Sequence, residues 1–341
     1  MSDLQYIQDP IPGFIDPQPL CFLEKLQDAT VIDISGTDKT RTRVVTVLTH
    51  GNEPSGYFAL HKWLLEGHQP HTNMRFIISS VKAALKTPIF THRYMPGEAD
   101  LNRCFNKKEI TNQSDTIINR AKMITKAIQN VSPECVIDLH NTSGSGPAFA
   151  VTITDNVDIR ALASFFCRRM ILTGLNLGSL MEIDVPAPIV TIECGGAADL
   201  EAHDVAYHGL REICAAPCFK DGEHHKLVEV LNHPMRVELR DEASLDYGLT
   251  HNPDASVTIK SDIEHCNTGI TKSGTLLGWV RRETLDNFII KDEDGVNVTK
   301  NILKIQSGIL STAVDVRIFM ATTRPDIAKS DCLFYIVPVH Q

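Results

Sequence analysis

A histidine and a glutamate end the first long apolar run of the chain, at a spacing that suits a metal site. The run is Val44–Glu53, VVTVLTHGNE, and His50 and Glu53 form the only His-x-x-Glu pair in the sequence. Binding sites of α/β proteins form at the carboxyl ends of buried strands, and imidazole and carboxylate groups bind first-row metal ions. With 14 histidines in the chain, one such pair can arise by chance. The alternative is a strand-end histidine and a helix-starting glutamate that are both solvated.

A second apolar run ends in His140 and supplies a third candidate ligand. This run is Cys135–Asn141, CVIDLHN. Two histidines and one glutamate from two strand ends leave a fourth position open, as in a catalytic zinc site rather than a structural one. Asp138 shares a face of the strand with His140, because side chains two residues apart point the same way. Asp138 is therefore suited to supporting a ligand from outside the metal's own shell.

Glu193 is the candidate general base. It ends the apolar segment APIVTIE and precedes two glycines, which let the backbone turn sharply. A carboxylate in so apolar a run needs a partner or a function. The alternative is a carboxylate that caps the next helix or is paired at the surface.

Two arginines and an asparagine could handle a substrate anion. Asn102 and Arg103 lie in Asp100-Leu101-Asn102-Arg103, and Arg93 lies upstream. A guanidinium binds a carboxylate through two parallel hydrogen bonds, and the amide adds another. A second arginine could stabilise the oxyanion formed when water attacks a carbonyl. Taken singly, both arginines are ordinary solvated charges.

Four segments together resemble the aspartoacylase/succinylglutamate desuccinylase family, a branch of the zinc carboxypeptidase-like hydrolases. The resemblance covers roughly residues 43–215, and the combination is specific although no single segment is. The segments occur in the family's order and approximate spacing: His50–Pro54, Asp100–Arg103, Asp138–Thr142 and Thr191–Glu193.

The resemblance implies one Zn²⁺ per chain and a role for each matching residue. The zinc ligands are His50, Glu53 and His140, and Glu193 is the base that activates water and then protonates the leaving amine. Arg93 stabilises the oxyanion, although its match to the family is the loosest. The substrate-binding residues are Asn102, Arg103 and Asn141. An acidic substrate side chain could be bound by further arginines and tyrosines, which lie in no motif that can be aligned: Tyr207, Arg168, Arg169 and Tyr247.

Strand and helix patterns alternate between residues 43 and 215, which predicts an α/β fold with a mostly parallel, mixed central sheet flanked by helices. The predicted strands are Val44–Thr49, Phe76–Val81, Val136–Leu139, Ala148–Thr152 and Ile189–Glu193. The predicted helices are Ser55–Leu65, Asp115–Ile128, Asp158–Leu172 and Leu200–Cys214. We expect a zinc-carboxypeptidase-like catalytic domain over residues 1–220.

After residue 220 the sequence changes to short alternating strands and glycine turns, which predicts a C-terminal all-β domain over residues 221–341. A polar stretch, residues 221–225, marks the boundary, and Asp294-Gly295 is typical of a hairpin turn. The predicted strands are Ser256–Lys260, Thr275–Val280, Phe288–Ile290, Val314–Met320 and Leu333–Val337. In the family this β domain can shape access to the metal.

Charge and hydropathy exclude several partners. The 341-residue chain has a formal charge of -9 and no basic cluster, which argues against nucleic acid. It contains no apolar run near the ~20 residues that a membrane helix needs. The N-terminus lacks the basic and apolar regions of a signal peptide, so we expect a soluble, cytoplasmic protein with reduced cysteines. The sequence allows a homo-oligomer without requiring one.

The leading hypothesis is a zinc-dependent deacylase that cleaves the amide bond of N-acyl amino acids or similar small carboxylates. One alternative keeps the site but makes the chain a metallocarboxypeptidase that acts on short peptides. A non-enzyme alternative is a metal-free α/β module that binds an anion through its arginines. The acyl group and the amino acid stay open at this point.

Overall fold

The computed structural model describes residues 4–11, 13–106, 115–174, 176–220, 224–330 and 332–339. The chain forms two compact units. The first comprises residues 1–141 and 148–230, and the second comprises residues 142–147 and 231–341. Residues 221–223 of the predicted polar boundary lie outside the described residues.

A mixed sheet, nine-stranded in the described part of the chain, forms the centre of the first unit. Its strands are β1 (Gln5–Gln8), β2 (Thr30–Ile34), β3 (Asp38–Val47), β4 (Thr72–Ile78), β5 (Cys135–Thr142), β6 (Phe149–Thr152), β7 (Arg169–Leu172), β8 (Ile189–Gly196) and β9 (Glu229–Asn232). The strand order is β1-β2-β4-β3-β5-β8-β6-β7-β9. The pairs β1/β2, β3/β4, β3/β5 and β6/β7 are parallel, whereas β2/β4 and β6/β8 are antiparallel.

Helices pack against both faces of this sheet. They are α1 (Pro19–Leu26), α2 (Ser55–Glu66), α3 (Val81–Leu85), α4 (Asp115–Gln129), α5 (Val157–Ser164) and α6 (Leu200–Ala215). Successive β3 side chains enter different cores, as the two-residue period of a strand requires. Val45 lies in one core with Leu60 of α2, and Val44 lies in the other with Ile124 of α4. The predicted α/β fold is confirmed.

One predicted helix is wrong in its second half. The segment Asp158–Leu172 was expected to be helical throughout, but α5 ends at Ser164 and β7 begins at Arg169. β7 pairs in parallel with β6. A short apolar run such as Met-Ile-Leu fits a strand or a buried helix equally well, so periodicity alone could not separate them.

Helix α2 begins just after the first candidate ligands, and its ends follow from the sequence. Pro54 precedes its first residue, where a fixed φ and a missing N–H are tolerated. Gly67 ends it in the left-handed conformation (φ 65°) and donates its N–H to the Leu64 carbonyl. The helix therefore leaves the end of β3 at a defined point.

The second unit consists mainly of β-structure, as predicted. Its strands are β10 (Met235–Leu239), β11 (Leu245–Gly248), β12 (Val257–Lys260), β13 (Leu276–Val280), β14 (Phe288–Ile289), β15 (Leu303–Gln306), β16 (Ile309–Thr312), β17 (Val316–Phe319) and β18 (Phe334–Pro338). They form two sheets, β14-β10-β18-β17 and β11-β12-β13-β16-β15. Two short helices, α7 (Thr299–Ile302) and α8 (Pro325–Ser330), connect strands. The predicted turn at Gly295 is present, with φ 77°.

No described helix combines the length and the apolar character needed to cross a membrane. None of the nine cysteines, all of which the structure describes, forms a disulfide, and four of them are buried: Cys135, Cys167, Cys194 and Cys332. Burial raises the pKa of the Cys135 and Cys167 thiols to about 12. These thiols are apolar core groups rather than nucleophiles.

Candidate metal centre

Two neighbouring strands bring the three candidate ligands together. β3 and β5 are parallel, and Thr46 of β3 pairs with Asp138 of β5. His50 and Glu53 follow β3, so they lie at the same edge of the sheet as His140 near the end of β5. A Cβ atom at Gly51 would lie 2.6 Å from the Ala84 backbone nitrogen. Only glycine therefore fits the turn that carries His50 into the site.

The three side chains form a buried cluster that could hold a metal ion. One ligand atom from each of His50, Glu53 and His140 lies within 4.8 Å of the others, and in the described part of the chain no other group of this kind occurs. The Nδ1 atom of His50 lies 2.8 Å from Oε1 of Glu53, and Nδ1 of His140 lies 2.7 Å from Oε2. Both rings thus direct Nδ1 toward one carboxylate.

A further carboxylate holds the far nitrogen of each ring. The Nε2 atom of His140 lies 2.6 Å from Asp138, and Nε2 of His50 lies 3.0 Å from Asp100. A proton on each Nε2 leaves the Nδ1 lone pair for a metal, which is the usual role of such carboxylates around histidine ligands. The donor set, with its outer carboxylates, fits a divalent first-row metal ion. The supporting position predicted for Asp138 agrees with this geometry.

The buried charges of the cluster stabilise one another. Burial alone would raise the pKa of Glu53, but the two histidines hold it well below its usual value. Burial alone would lower the pKa of His140, but Asp138 and Glu53 raise it well above the usual value. Burial alone would raise the pKa of Asp138, which His140 and two threonine hydroxyls nevertheless keep low. The site is therefore built to concentrate negative charge around its two imidazoles.

Glu193 lies in β8 and differs from these carboxylates. Within the described residues, its enclosed Oε2 atom has no hydrogen-bond partner. Burial raises the pKa of Glu193 to about 7; the Glu53 charge adds to this, while His140, His50 and Arg93 oppose it. These charges act on Glu193 because it lies near the cluster. A partly buried carboxyl with a pKa near neutrality can both accept and donate a proton.

Arg93 is bound to the cluster rather than solvated. Its Nε atom donates to Asp100 (2.9 Å) and its Nη1 atom to Glu53 (3.2 Å). Its carbonyl oxygen accepts a hydrogen bond from the Gly51 N–H (2.9 Å). The side chain remains 38% exposed, so part of the guanidinium stays accessible beside the cluster.

Asn102 and Arg103 lie in one 3₁₀ turn, Leu101–Arg103, which Asp100 caps by accepting from the Asn102 N–H (2.8 Å). The Asn102 Oδ1 atom accepts from the Leu180 N–H (2.9 Å), so its Nδ2 group is the end not used in that bond. The Arg103 Nη1 atom donates to the Asn102 carbonyl (2.9 Å). Arg103 makes no ion pair with any residue that the structure describes. Its charge is available to an anion.

Asn141 uses its amide inside the protein. Its Nδ2 atom donates to the Ser55 hydroxyl (2.8 Å) and to the Gly195 carbonyl (2.9 Å), and its Oδ1 atom accepts from the Ser55 N–H (3.0 Å). Both N–H groups of the amide are therefore taken by protein acceptors. This geometry gives Asn141 a structural role, and its predicted contact with the substrate stays a prediction.

Several residues that hold the site were not identified as such from sequence. Asp100 lies within a recognised motif but had no assigned role, and Ser55 and His203 had none. Four other residues were considered for binding an acidic substrate side chain. Tyr207 donates a hydrogen bond to Glu66, and Arg169 lies beside Glu229. Arg168 is exposed, and Tyr247 lies in β11 of the second unit. The Asp100–His50 and His203–Ser55 pairs join residues far apart in sequence, so sequence patterns alone could not predict them.

Comparisons with known proteins identify the family and support the fold. The model of the succinylglutamate desuccinylase/aspartoacylase catalytic domain matches residues 39–208, which confirms the resemblance seen in the four segments. The structure is similar to a succinylglutamate desuccinylase/aspartoacylase from Rhodobacter sphaeroides, with 12% identity, a TM-score of 0.55, and 92% of this chain and 89% of that chain covered.

Two further solved structures show the same fold. Murine aminoacylase 3 is 17% identical, with a TM-score of 0.52 and 89% of this chain and 99% of that chain covered. Succinylglutamate desuccinylase from Vibrio cholerae is 14% identical, with a TM-score of 0.54 and 87% of this chain and 99% of that chain covered. No curated protein sequence gives a match.

Proposed function

The chain belongs, through residues 39–208, to the succinylglutamate desuccinylase/aspartoacylase family of hydrolases, and from that premise we propose that it is a zinc-dependent deacylase. Its substrate is an N-acyl amino acid or a similar small carboxylate, and the bond cleaved is the amide. The observation that carries the proposal is the buried His–Glu–His cluster near Glu193, whose Oε2 atom has no hydrogen-bond partner among the described residues.

The cluster suits Zn²⁺ by its donor chemistry. Two imidazole nitrogens and one carboxylate oxygen are a ligand set of catalytic zinc sites, which keep one position open. His50, Glu53 and His140 would hold the ion. When bound, Zn²⁺ supplies Lewis-acid chemistry by polarising a carbonyl and lowering the pKa of water.

Glu193 moves the proton in this mechanism. Its Oε2 atom accepts a proton from the attacking water and later delivers it to the leaving amine nitrogen. Both steps require a carboxyl that changes protonation state near neutral pH, and the raised pKa of Glu193 supports that role. Within the described residues Oε2 has no hydrogen-bond partner, so no existing bond has to break before this atom takes a proton.

The two arginines have different tasks. Arg93 is held by Glu53 and Asp100, so its position is fixed before substrate binds, and its remaining N–H groups can stabilise negative charge on the carbonyl oxygen. Arg103 has no acidic partner among the described residues and can bind the substrate carboxylate. Asn102 assists with the Nδ2 group that its bond to Leu180 leaves unused.

A substrate screen tests the proposal. Zinc-loaded protein is incubated with matched N-acyl amino acids and short peptides, with a chelated sample as control, and products are identified by mass spectrometry. We expect release of free amino acid from one or more N-acyl amino acids in the loaded sample only. Cleavage restricted to peptides would instead make the chain a metallocarboxypeptidase. Binding of anions without turnover or zinc would make it a metal-free binding module.

A further inference from the structure

The side-chain amide of Asn141 has one orientation. Its Oδ1 atom faces the Ser55 backbone N–H (3.0 Å), which can only donate, and its Nδ2 atom faces the Gly195 carbonyl (2.9 Å), which can only accept. The other Nδ2 hydrogen points to the Ser55 hydroxyl oxygen (2.8 Å). Because Asn141 is buried, water cannot readily replace these bonds.

This one amide joins three segments that carry the candidate site. Asn141 follows His140 in β5, Ser55 lies two residues after Glu53, and Gly195 lies two residues after Glu193. The Asn141 backbone N–H also approaches Oε2 of Glu53 (3.3 Å). The position of Glu53 and His140 relative to Glu193 therefore depends on the amide of Asn141.

The hydrogen-bond chain continues from Ser55 to helix α6. The Ser55 Oγ atom accepts from Asn141 (2.8 Å) and lies 2.7 Å from His203 Nδ1, and we assign the Ser55 hydroxyl proton to that second contact. An imidazole that accepts at Nδ1 carries its proton on Nε2. Burial lowers the pKa of His203, which favours this neutral form. The His203 ring also packs edge-on against Phe58, with centroids 5.3 Å apart.

We propose that His203 is a positioning residue of the metal site, which acts through Ser55 and Asn141 to fix Glu53 and His140 relative to Glu193. The inference rests on the proposed function in that it takes this cluster as the zinc site. His203 contacts neither the ligands nor the base directly in this scheme. Its contribution is the acceptor that completes the orientation of the Ser55 hydroxyl.

Loss of the His203 acceptor should weaken metal binding. Ser55 is fully buried, so its hydroxyl proton would be left without a partner. The hydroxyl would turn toward another acceptor and weaken its bond from Asn141. Changes in the groups that orient metal ligands typically reduce metal affinity or activity by about 10- to 100-fold.

Two substitutions at His203 separate the acceptor from the ring. H203F keeps an aromatic ring against Phe58 and removes the Nδ1 acceptor. H203N places an amide oxygen where Nδ1 lies and removes the ring. His208, an exposed histidine of the same helix, provides the control variant H208F.

Zinc affinity is measured by competition with a chelator, together with kcat and KM on an N-acyl amino acid. We expect H203F to bind Zn²⁺ about tenfold more weakly and to lose about tenfold in kcat, with KM changed by less than about threefold. H203N and H208F should stay within about threefold of the wild type. Wild-type zinc affinity and kcat in H203F would overturn the proposal, and so would an equal loss in H203N, because ring packing would then be the cause.

A second variant covers the case in which H203F does not fold. Ser55→Ala removes the hydroxyl but keeps the backbone N–H that bonds Asn141, and it should weaken zinc binding about tenfold. Unchanged affinity in this variant contradicts the proposal. The zinc titration needs no substrate, so it tests His203 even if the wild type binds zinc and cleaves no N-acyl amino acid, which would contradict only the proposed function.

Discussion

The Nε2 atom of His140 lies 2.6 Å from the Oδ2 atom of Asp138, which precedes it by two residues in the same strand. The other carboxylate oxygen of Asp138 accepts hydrogen bonds from Thr46 (2.5 Å) and Thr49 (2.8 Å). The carboxylate is thus held at both oxygens, and it in turn holds the imidazole with Nδ1 toward Glu53. This geometry allows the ring to bind a metal without first reorienting.

Replacing Asp138 by asparagine should weaken zinc binding by about 10- to 100-fold, because the amide keeps the shape but loses the charge that supports His140. The measurement is a competition titration of the metal-free protein with Zn²⁺. Asp158→Asn, at an exposed ion pair with Lys220, is the matched control and should bind zinc normally. Equal affinity of Asp138→Asn and the wild type would contradict the supporting role.

Replacing Glu193 by glutamine should reduce kcat by about 10²- to 10⁴-fold while zinc stays bound. The amide cannot accept the proton from water, and Oε2 of Glu193 has no bond within the described residues that the change would break. Steady-state kinetics are measured on samples whose zinc content is determined in parallel. Near-wild-type turnover by zinc-loaded protein would assign the base elsewhere.

Replacing Arg103 by methionine should raise KM by about 10- to 100-fold with a smaller effect on kcat, because a charged hydrogen bond to the substrate is lost. Kinetics on one N-acyl amino acid and on its carboxylate methyl ester provide the comparison. The ester lacks the negative charge, so the wild type and the variant should have similar KM values for it. A KM for the free acid that does not change would show that Arg103 does not bind the carboxylate.

Arg43 should contribute far more to stability than its neighbour Arg41. Arg43 is fully buried, pairs with Glu134 (2.7 Å) and donates to the Ile213 (2.5 Å) and Ala216 (2.8 Å) carbonyls at the end of α6. Arg43→Met removes this donor from the two carbonyls and the buried partner from one oxygen of Glu134, and should lower the free energy of unfolding by about 3–5 kcal/mol.

The control for Arg43 pairs with the same glutamate from a more exposed position. Arg41 lies 2.7 Å from Glu134 and is 34% exposed, so Arg41→Met should cost less than about 1 kcal/mol. Urea unfolding of both variants gives the comparison. Similar losses in the two variants would contradict the assignment of Arg43 as a buried structural charge.

The sequence was sufficient to predict that His50, Glu53 and His140 lie close together. Parallel strands end at the same edge of a sheet, so ligands at the ends of β3 and β5 must lie close. The position of Asp138 followed from the two-residue period of a strand. The bonds from Asp100 to His50 and from His203 to Ser55 could not be predicted, because they join elements far apart in sequence.

Two strands near the edges of the sheet, β1 and β7, also could not be predicted from the sequence. β1 (Gln5–Gln8) is mostly exposed and polar, so it carries no apolar alternation, yet it pairs with β2 through its backbone. The residues of β7 were predicted as part of a helix, because a run of three apolar residues fits both the helical and the strand period. In both cases backbone pairing with a neighbouring strand, rather than local propensity, decides the structure.

The central claim is that the cluster holds a zinc ion required for amide hydrolysis. Its most direct test is to add Zn²⁺ stepwise to chelated protein and to measure both bound metal and the rate of N-acyl amino acid hydrolysis. We predict that hydrolysis is absent without metal, rises in proportion to bound zinc and levels off at one ion per chain. Equal hydrolysis by the chelated and the loaded protein would contradict the claim.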